Sequence, residues 1–241
     1  VPDLVAVALV VGAASLIQAV AGFGLALFAV PLLSFAIDPK MAVVVVGTVG
    51  VVASTSLAVR EIQHCEWPTA KRMIVGAAIG SPFGILLLEA APDQALRLAL
   101  AAFIVVFLVV QLRGFQLQAV GPRVDLGAGI VSGALNTSLS TNGPPLVAVL
   151  HARHLAPPVF RSTISVVFSA SNVLALVLFA VAGRYDRPTL EAVAVSIPAL
   201  LVGQVLGGLV RNRVPPSGFR RVVTSLLALT AVASVAAVLR S

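Results

Sequence analysis

Charge is what this chain most lacks. Only 10% of its 241 residues are Asp, Glu, Lys or Arg, where a soluble domain carries about 25%. So thin a supply cannot coat a water-soluble fold, which excludes one large soluble core. Acids are the scarcer sign, nine against sixteen basic residues. All of them (Asp3, Asp38, Glu61, Glu66, Glu89, Asp93, Asp125, Asp186 and Glu191) stand at or near the ends of apolar segments. The intramembrane carboxylate often kept by proton- and sodium-coupled carriers is missing. Cysteine occurs once, at Cys65, which excludes an internal disulfide. His151 and His154, spaced i, i+3, are the right type for proton relay or metal binding. Without a Cys, Asp or Glu beside them they are too few for a metal site. No nucleophile–base arrangement, phosphate loop or haem ligand pair is present, so the sequence reads as no enzyme and calls for no cofactor and no metal.

What the chain has in excess is apolar surface. Hydrophobic residues make up 59% of it, and the mean hydropathy is +1.07. Many apolar runs approach the ~20 residues that cross about 30 Å of hydrocarbon as a helix. The net charge of +7 is not gathered into a patch that would bind nucleic acid. The basic residues flank apolar segments instead, at Arg60, Lys71 and Arg72, Arg211 and Arg213, Arg220 and Arg221. Loop charges that orient a membrane protein are distributed in this way. The expected partners are membrane lipid and a small solute, not nucleic acid, with homo-oligomerisation left open. The start carries Asp3 and no basic run, so it does not read as a cleaved secretory leader.

Charge, Pro and Gly divide the chain into eight apolar segments: Leu4–Ile37, Met41–Val59, Ala70–Leu88, Ala95–Leu112, Leu126–Leu150, Val159–Val181, Leu190–Val210 and Phe219–Leu239. The eight read as two sets of four. "GFGLALFAVPLL" (Gly22–Leu33) corresponds to "STNGPPLVAVLH" (Ser140–His151), and each is followed by a Pro-containing turn. "GSPFG" (Gly80–Gly84) corresponds to "GQVLGG" (Gly203–Gly208), and "APDQALR" (Ala91–Arg97) to "PPSGFRR" (Pro215–Arg221). The matches keep one order at a separation near half the chain, which argues for an internal duplication. The expected fold is an all-α polytopic membrane protein of two four-segment repeats, residues 1–118 and 119–241.

The first segment of each half is unusual. Leu4–Ile37 as one helix would measure roughly 50 Å, too long for an ordinary crossing, and both first segments are interrupted, at Ala21–Gly24 and Ser140–Pro145. If all eight segments simply crossed, the basic residues would divide equally between the two sides. If each broken segment enters and returns on one side, Arg60, Lys71, Arg72, Arg113, Arg123, Arg153, Arg161, Arg211, Arg213, Arg220 and Arg221 fall together. Lys40, Arg97, Arg184, Arg187 and Arg240 remain on the other side. The positive-inside rule then makes the first set cytoplasmic. Each half has three crossings, so the repeats are inverted.

Broken helices at matching places in two repeats point to a transport site. Pro lacks the N–H that a helix interior needs but suits a first turn, so Pro144 and Pro145 announce a new half-helix with Asn142 as candidate N-cap. Helix N-termini carry partial positive charge and suit anions. The candidate binding residues are Gln18, Gly22, Phe23 and Gly24 in the first half. In the second they are Asn136, Thr137, Ser138, Ser140, Thr141, Asn142 and Gly143, with Asn172 on a facing helix. Ser15, Thr48, Ser54, Thr55, Ser165 and Gln204 are further uncharged donors. Any single Ser or Thr on a membrane helix is more often glue between helices; the run Asn136–Asn142 is denser than that role needs. Lys40 and Arg161 read as solvated loop charges.

The "GFG" with Pro31 and the "NGPP" copy, set on eight apolar segments, resemble the sulfite exporter TauE/SafE family, also called the toluene sulfonate uptake permeases. Gly22, Gly24 and Pro31 match the first signature, and Gly143 with the apolar run after it the second. Leu25 and Ala26, and Pro144 and Pro145, stand where the family often continues with glycine. The resemblance spans essentially the whole chain. It implies a bacterial inner-membrane, multi-pass transporter, most naturally an exporter, of small sulfur-containing anions such as sulfite or organosulfonates (sulfoacetate, for example). The alternatives are an importer of sulfonates or small organic acids, an anion channel of the same architecture, and an intramembrane scaffold.

Overall fold

The computed structural model describes residues 3–21, 24–113 and 120–211. These residues form helices joined by short turns, with no strand among them. In chain order the helices are α1 (Leu4–Ala21), α2 (Leu25–Leu33), α3 (Pro39–Glu61), α4 (Trp67–Ala90), α5 (Asp93–Leu112), α6 (Pro122–Leu139), α7 (Gly143–Ala152), α8 (Pro157–Val181) and α9 (Arg187–Arg211). A single 3₁₀ turn, Ile62–His64, follows α3. The first and fifth expected segments are each two helices, and the expected segments between and after them are single ones. Phe219–Leu239 lies outside the described residues, as do Arg213, Arg220, Arg221 and Arg240. Among the described residues, five stretches are long and apolar enough to cross a membrane: Pro39–His64, Trp67–Ala90, Asp93–Val110, Pro157–Val181 and Arg187–Leu209.

Several of the segment-end acids start helices. Asp3 accepts from the Val5 and Ala6 amides, Asp38 from Met41, Glu66 from Thr69 and Asp186 from Thr189, at 2.9–3.1 Å. Each serves one of the N–H groups that a helix start leaves without an internal partner. Prolines in the first turns of α6, α7 and α8 need no such partner.

The helices pack as two compact units. One gathers Val1–Val49, Ala91–Gly114 and Tyr185–Ser241, and the other Gly50–Ala90 and Phe115–Arg184. In the first, α1 packs along α9 and against α2. In the second, α4 packs along α6, and α8 packs on α4, α6 and α7.

The long pairings in both units are made by backbone meeting backbone. A Cβ at Gly80 would overlap the Ile130 carbonyl oxygen, and one at Gly84 the Ala134 carbonyl and the Thr137 hydroxyl. In the first unit a Cβ at Gly203 would overlap the Gly12 carbonyl oxygen, and one at Gly207 would crowd Leu16 and Ala19. Gly12, Leu16 and Ala19 precede Ile130, Ala134 and Thr137 by one constant offset, and Gly80 and Gly84 precede Gly203 and Gly207 by another. A broken segment of one sequence half thus meets the third segment of the other half in each unit. Large side chains point outward: α4 exposes Val75, Ile79, Phe83, Leu86 and Leu87 while burying Gly76, Ala77, Gly80, Ser81 and Gly84. Small residues inside and large apolar ones outside suit lipid.

Ion pairs fix which helix ends lie together in the second unit. Asp125, fully buried near the start of α6, is held by Arg72 of α4 at 2.8 Å and by Arg153, just past α7, at 2.7 Å. Arg161 of α8 pairs with Glu61 of α3 at 3.4 Å, and the Thr163 hydroxyl accepts from the Glu66 amide at 3.0 Å. At the opposite end Arg184, after α8, pairs with Glu89 of α4. The chain leaving α6 therefore doubles back, and α7 ends beside the start of α6.

Candidate functional site

The turn between α6 and α7 is where polar groups gather in the second unit. Ser140 adopts a left-handed conformation (φ 53°), turning its own N–H to the Asn136 carbonyl and that of Thr141 to the Leu135 carbonyl. Helix resumes at Gly143, ahead of the prolines rather than after them. The Ser132 hydroxyl, one turn before Asn136 on α6, donates to the Asn142 carbonyl at 2.9 Å and so holds the returning chain.

Asn142 takes the N-cap position of α7, but its side chain makes no cap hydrogen bond. It reaches across instead: its Nδ2 donates to Asn172 Oδ1 on α8 at 3.5 Å. Asn172 Nδ2 in turn donates to Ser54 Oγ at 3.2 Å, and Ser54 donates to the Gly50 carbonyl at 2.6 Å. A Cβ at Gly50 would stand 3.1 Å from Asn172 Nδ2, a tight approach. Asn136, only 1% exposed, donates from Nδ2 to the Ser171 carbonyl at 3.0 Å, while its Oδ1 has no partner. The cluster is buried and holds no ionisable side chain.

The hydroxyls of Thr137, Ser138 and Thr141 are engaged with backbone. Thr137 donates to the Ser81 carbonyl of α4 at 2.7 Å, Ser138 to Ala134 at 2.7 Å and Thr141 to Leu139 at 2.8 Å. Of the expected residues, Asn136, Ser140, Thr141, Asn142, Gly143 and Asn172 therefore share the turn and its facing helix, with Ser54 beside them. Thr55 pairs with Ser169, and Thr48, in the first unit, with Tyr185. Sequence reasoning passed over Ser132, Ser171 and Gly50; the four-residue spacing of Ser132 from Asn136 was the available signal.

In the first unit Gln18 is buried, with Oε1 unpartnered, and Gly24 sits at φ 107°, a conformation that glycine alone adopts freely. Gly22 and Phe23 lie outside the described residues. Ser15 donates to the Leu200 carbonyl of α9 at 2.6 Å. His151 lies against the Phe160 ring, centroids 4.8 Å apart. Among the described residues no group of three or more His, Cys, Asp or Glu is placed to hold a metal.

A family model described as sulfite exporter TauE/SafE matches residues 6–234. The chain is 25% identical over 223 residues to the "Probable sulfite/organosulfonate exporter TauE" of Cupriavidus necator, covering 90% of this chain and 87% of that protein. Over 102 residues it is 33% identical to the "Probable inner membrane transporter protein TsaS" of Comamonas testosteroni, covering 42% of each. No solved structure matches the chain.

Proposed function

The chain belongs to the sulfite exporter TauE/SafE family, and is thus a multi-pass inner-membrane transporter and not an enzyme; on that premise we propose that it exports a small sulfur-containing anion, sulfite or an organosulfonate, bound at the α6–α7 turn. The observation that carries the reading is the buried, uncharged amide cluster of Asn136, Asn142 and Asn172 at a break in an otherwise apolar hairpin. An anion there meets the positive end of α7 and no carboxylate. Pro144 and Pro145 have no N–H, so the first-turn backbone donors of α7 come from Asn142 and Gly143. The Asn142 amide adds a hydrogen beyond the one directed at Asn172. Gln18 and Gly24 belong to the first unit, and the proposal rests on the second alone.

The arrangement of two inverted repeats, 1–118 and 119–241, is part of the same proposal. It is supported by the matched glycine contacts of α1 with α9 and α6 with α4. Purified protein in liposomes tests the function directly. Saturable flux of sulfite or a sulfonate is expected. Flux that does not saturate would assign a channel, and no flux a scaffold.

A further inference from the structure

Resting on that anion site, we propose that Asn136 Oδ1 accepts a hydrogen bond from the cargo itself. The site then takes a hydrogen-bearing monoanion such as hydrogensulfite in preference to the sulfite dianion. The orientation of the Asn136 amide is not free. The Ser171 carbonyl can only accept, so Nδ2 must face it and Oδ1 must be the atom left over. That oxygen is buried and unpartnered, as is the Ser171 hydroxyl on the facing helix, while the hydroxyls on its own helix donate elsewhere: Ser132 to Asn142, Thr137 to Ser81 and Ser138 to Ala134. Asn136 lies one turn from the residue that holds Asn142, and Ser171 is the chain neighbour of Asn172, which meets the Asn142 amide. The open acceptor therefore belongs to the same turn and facing helix as the proposed anion position.

A lone acceptor in a site built for an anion is a discriminator. A fully ionised oxyanion brings only lone pairs to Oδ1 and leaves it unsatisfied, whereas a ligand O–H satisfies it and adds no second charge. The same feature recurs in the first unit. Gln18 precedes Asn136 by the offset that relates Gly12 to Ile130, and its Oε1 is likewise buried without a partner.

Protein ionisation is a separate source of pH dependence. The charged or titratable groups on α6 and the helices packed against it stand near helix ends: Arg123 and Asp125 on α6, Lys71, Arg72 and Glu89 on α4, His151 on α7, and Arg161 on α8. The test uses a ligand that cannot titrate as its control. Affinities of the purified full chain for sulfite and methanesulfonate are measured by calorimetry across the range in which the sulfite dianion takes up one proton to become hydrogensulfite. On the alkaline side sulfite should weaken about tenfold per pH unit, following the hydrogensulfite fraction. Methanesulfonate, which brings only lone pairs to Oδ1, should bind more weakly than hydrogensulfite and stay flat with pH, which separates the ligand's proton from any on His151. Asn136→Ala should flatten the sulfite slope; the wild-type curves decide the matter even if that variant does not fold. A wild-type sulfite affinity that is flat, or that rises with the dianion, overturns the proposal. So does a sodium requirement shared by both anions, which would give Oδ1 to a cation. If neither anion binds at any pH, the anion site falls and this proposal with it; methanesulfonate binding with the wrong sulfite slope fails this proposal alone.

Discussion

Asn142 differs from its polar neighbours in where its hydrogens point. Its amide faces another side chain across the turn, while the hydroxyls of Thr137, Ser138 and Thr141 are bonded to backbone carbonyls. Asn142→Ala should therefore weaken anion binding by roughly 10- to 150-fold, the value of about 1.5–3 kcal/mol for a hydrogen bond to a charged group. Ser138→Ala should change it by less than about twofold, since its hydroxyl already bonds within the helix. Calorimetry on the two purified variants checks both, and equal effects would remove Asn142 from the site. The sequence made the amides legible, because an Asn inside an apolar segment is costly unless it does something. It could not show which hydroxyls fold back, because that depends on the helix around them being formed. Asp125 was legible only as an end charge; its burial arises because α7 returns and brings Arg153 to it. Removing it leaves two arginines facing each other, so Asp125→Ala should lower stability by about 3 kcal/mol, the low end for a broken buried pair because Arg72 remains partly exposed. Thermal unfolding in detergent measures it.

Among helices, the glycines are not interchangeable. A methyl at Gly80 meets the Ile130 backbone, which cannot swing aside, whereas one at Gly208 or Gly127 meets nothing within 4 Å. Gly80→Ala should destabilise by about 1–3 kcal/mol, and Gly208→Ala should be neutral or stabilising by up to about 1 kcal/mol. A Gly80→Ala protein as stable as wild type would show that α4 and α6 need no such approach. The matched glycine stretches were visible in the sequence, as were the two breaks. The partner of each glycine face was not, because small residues mark where backbones can touch without saying which helix comes. The pairing of α4 with α6 and α1 with α9, across the sequence halves, is set by packing alone.

For the whole molecule, sidedness is open to a label the protein already carries. Cys65 lies at the end of the second unit that gathers Arg72, Arg153 and Arg161, which the positive-inside rule makes cytoplasmic. Burial pushes its thiol above the usual range, with Glu66 adding to the rise and a Thr163 hydrogen bond opposing it. The reactive thiolate is therefore scarce at neutral pH. An impermeant maleimide should label Cys65 from the cytoplasmic face only, more slowly than a free thiol and faster as pH rises. Labelling from outside would invert the topology.

The proposed export needs no titratable partner: an interior-negative potential drives one negative charge outward by about 2.3 kcal/mol per 100 mV, enough for a roughly 50-fold gradient. Flux at clamped potential with the pH gradient varied separately checks this; flux that ignores the potential would refute it. The doubled-back hairpin adds a finer consequence. With ten residues, α7 is roughly 15 Å long, about half of the ~30 Å hydrocarbon. An anion entering from the cytoplasm to the turn then crosses about half of the electric field before it is bound. Its apparent affinity should itself be voltage-sensitive, by about sevenfold per 100 mV for a monoanion, so that the membrane potential acts as a loading force as well as a driving one.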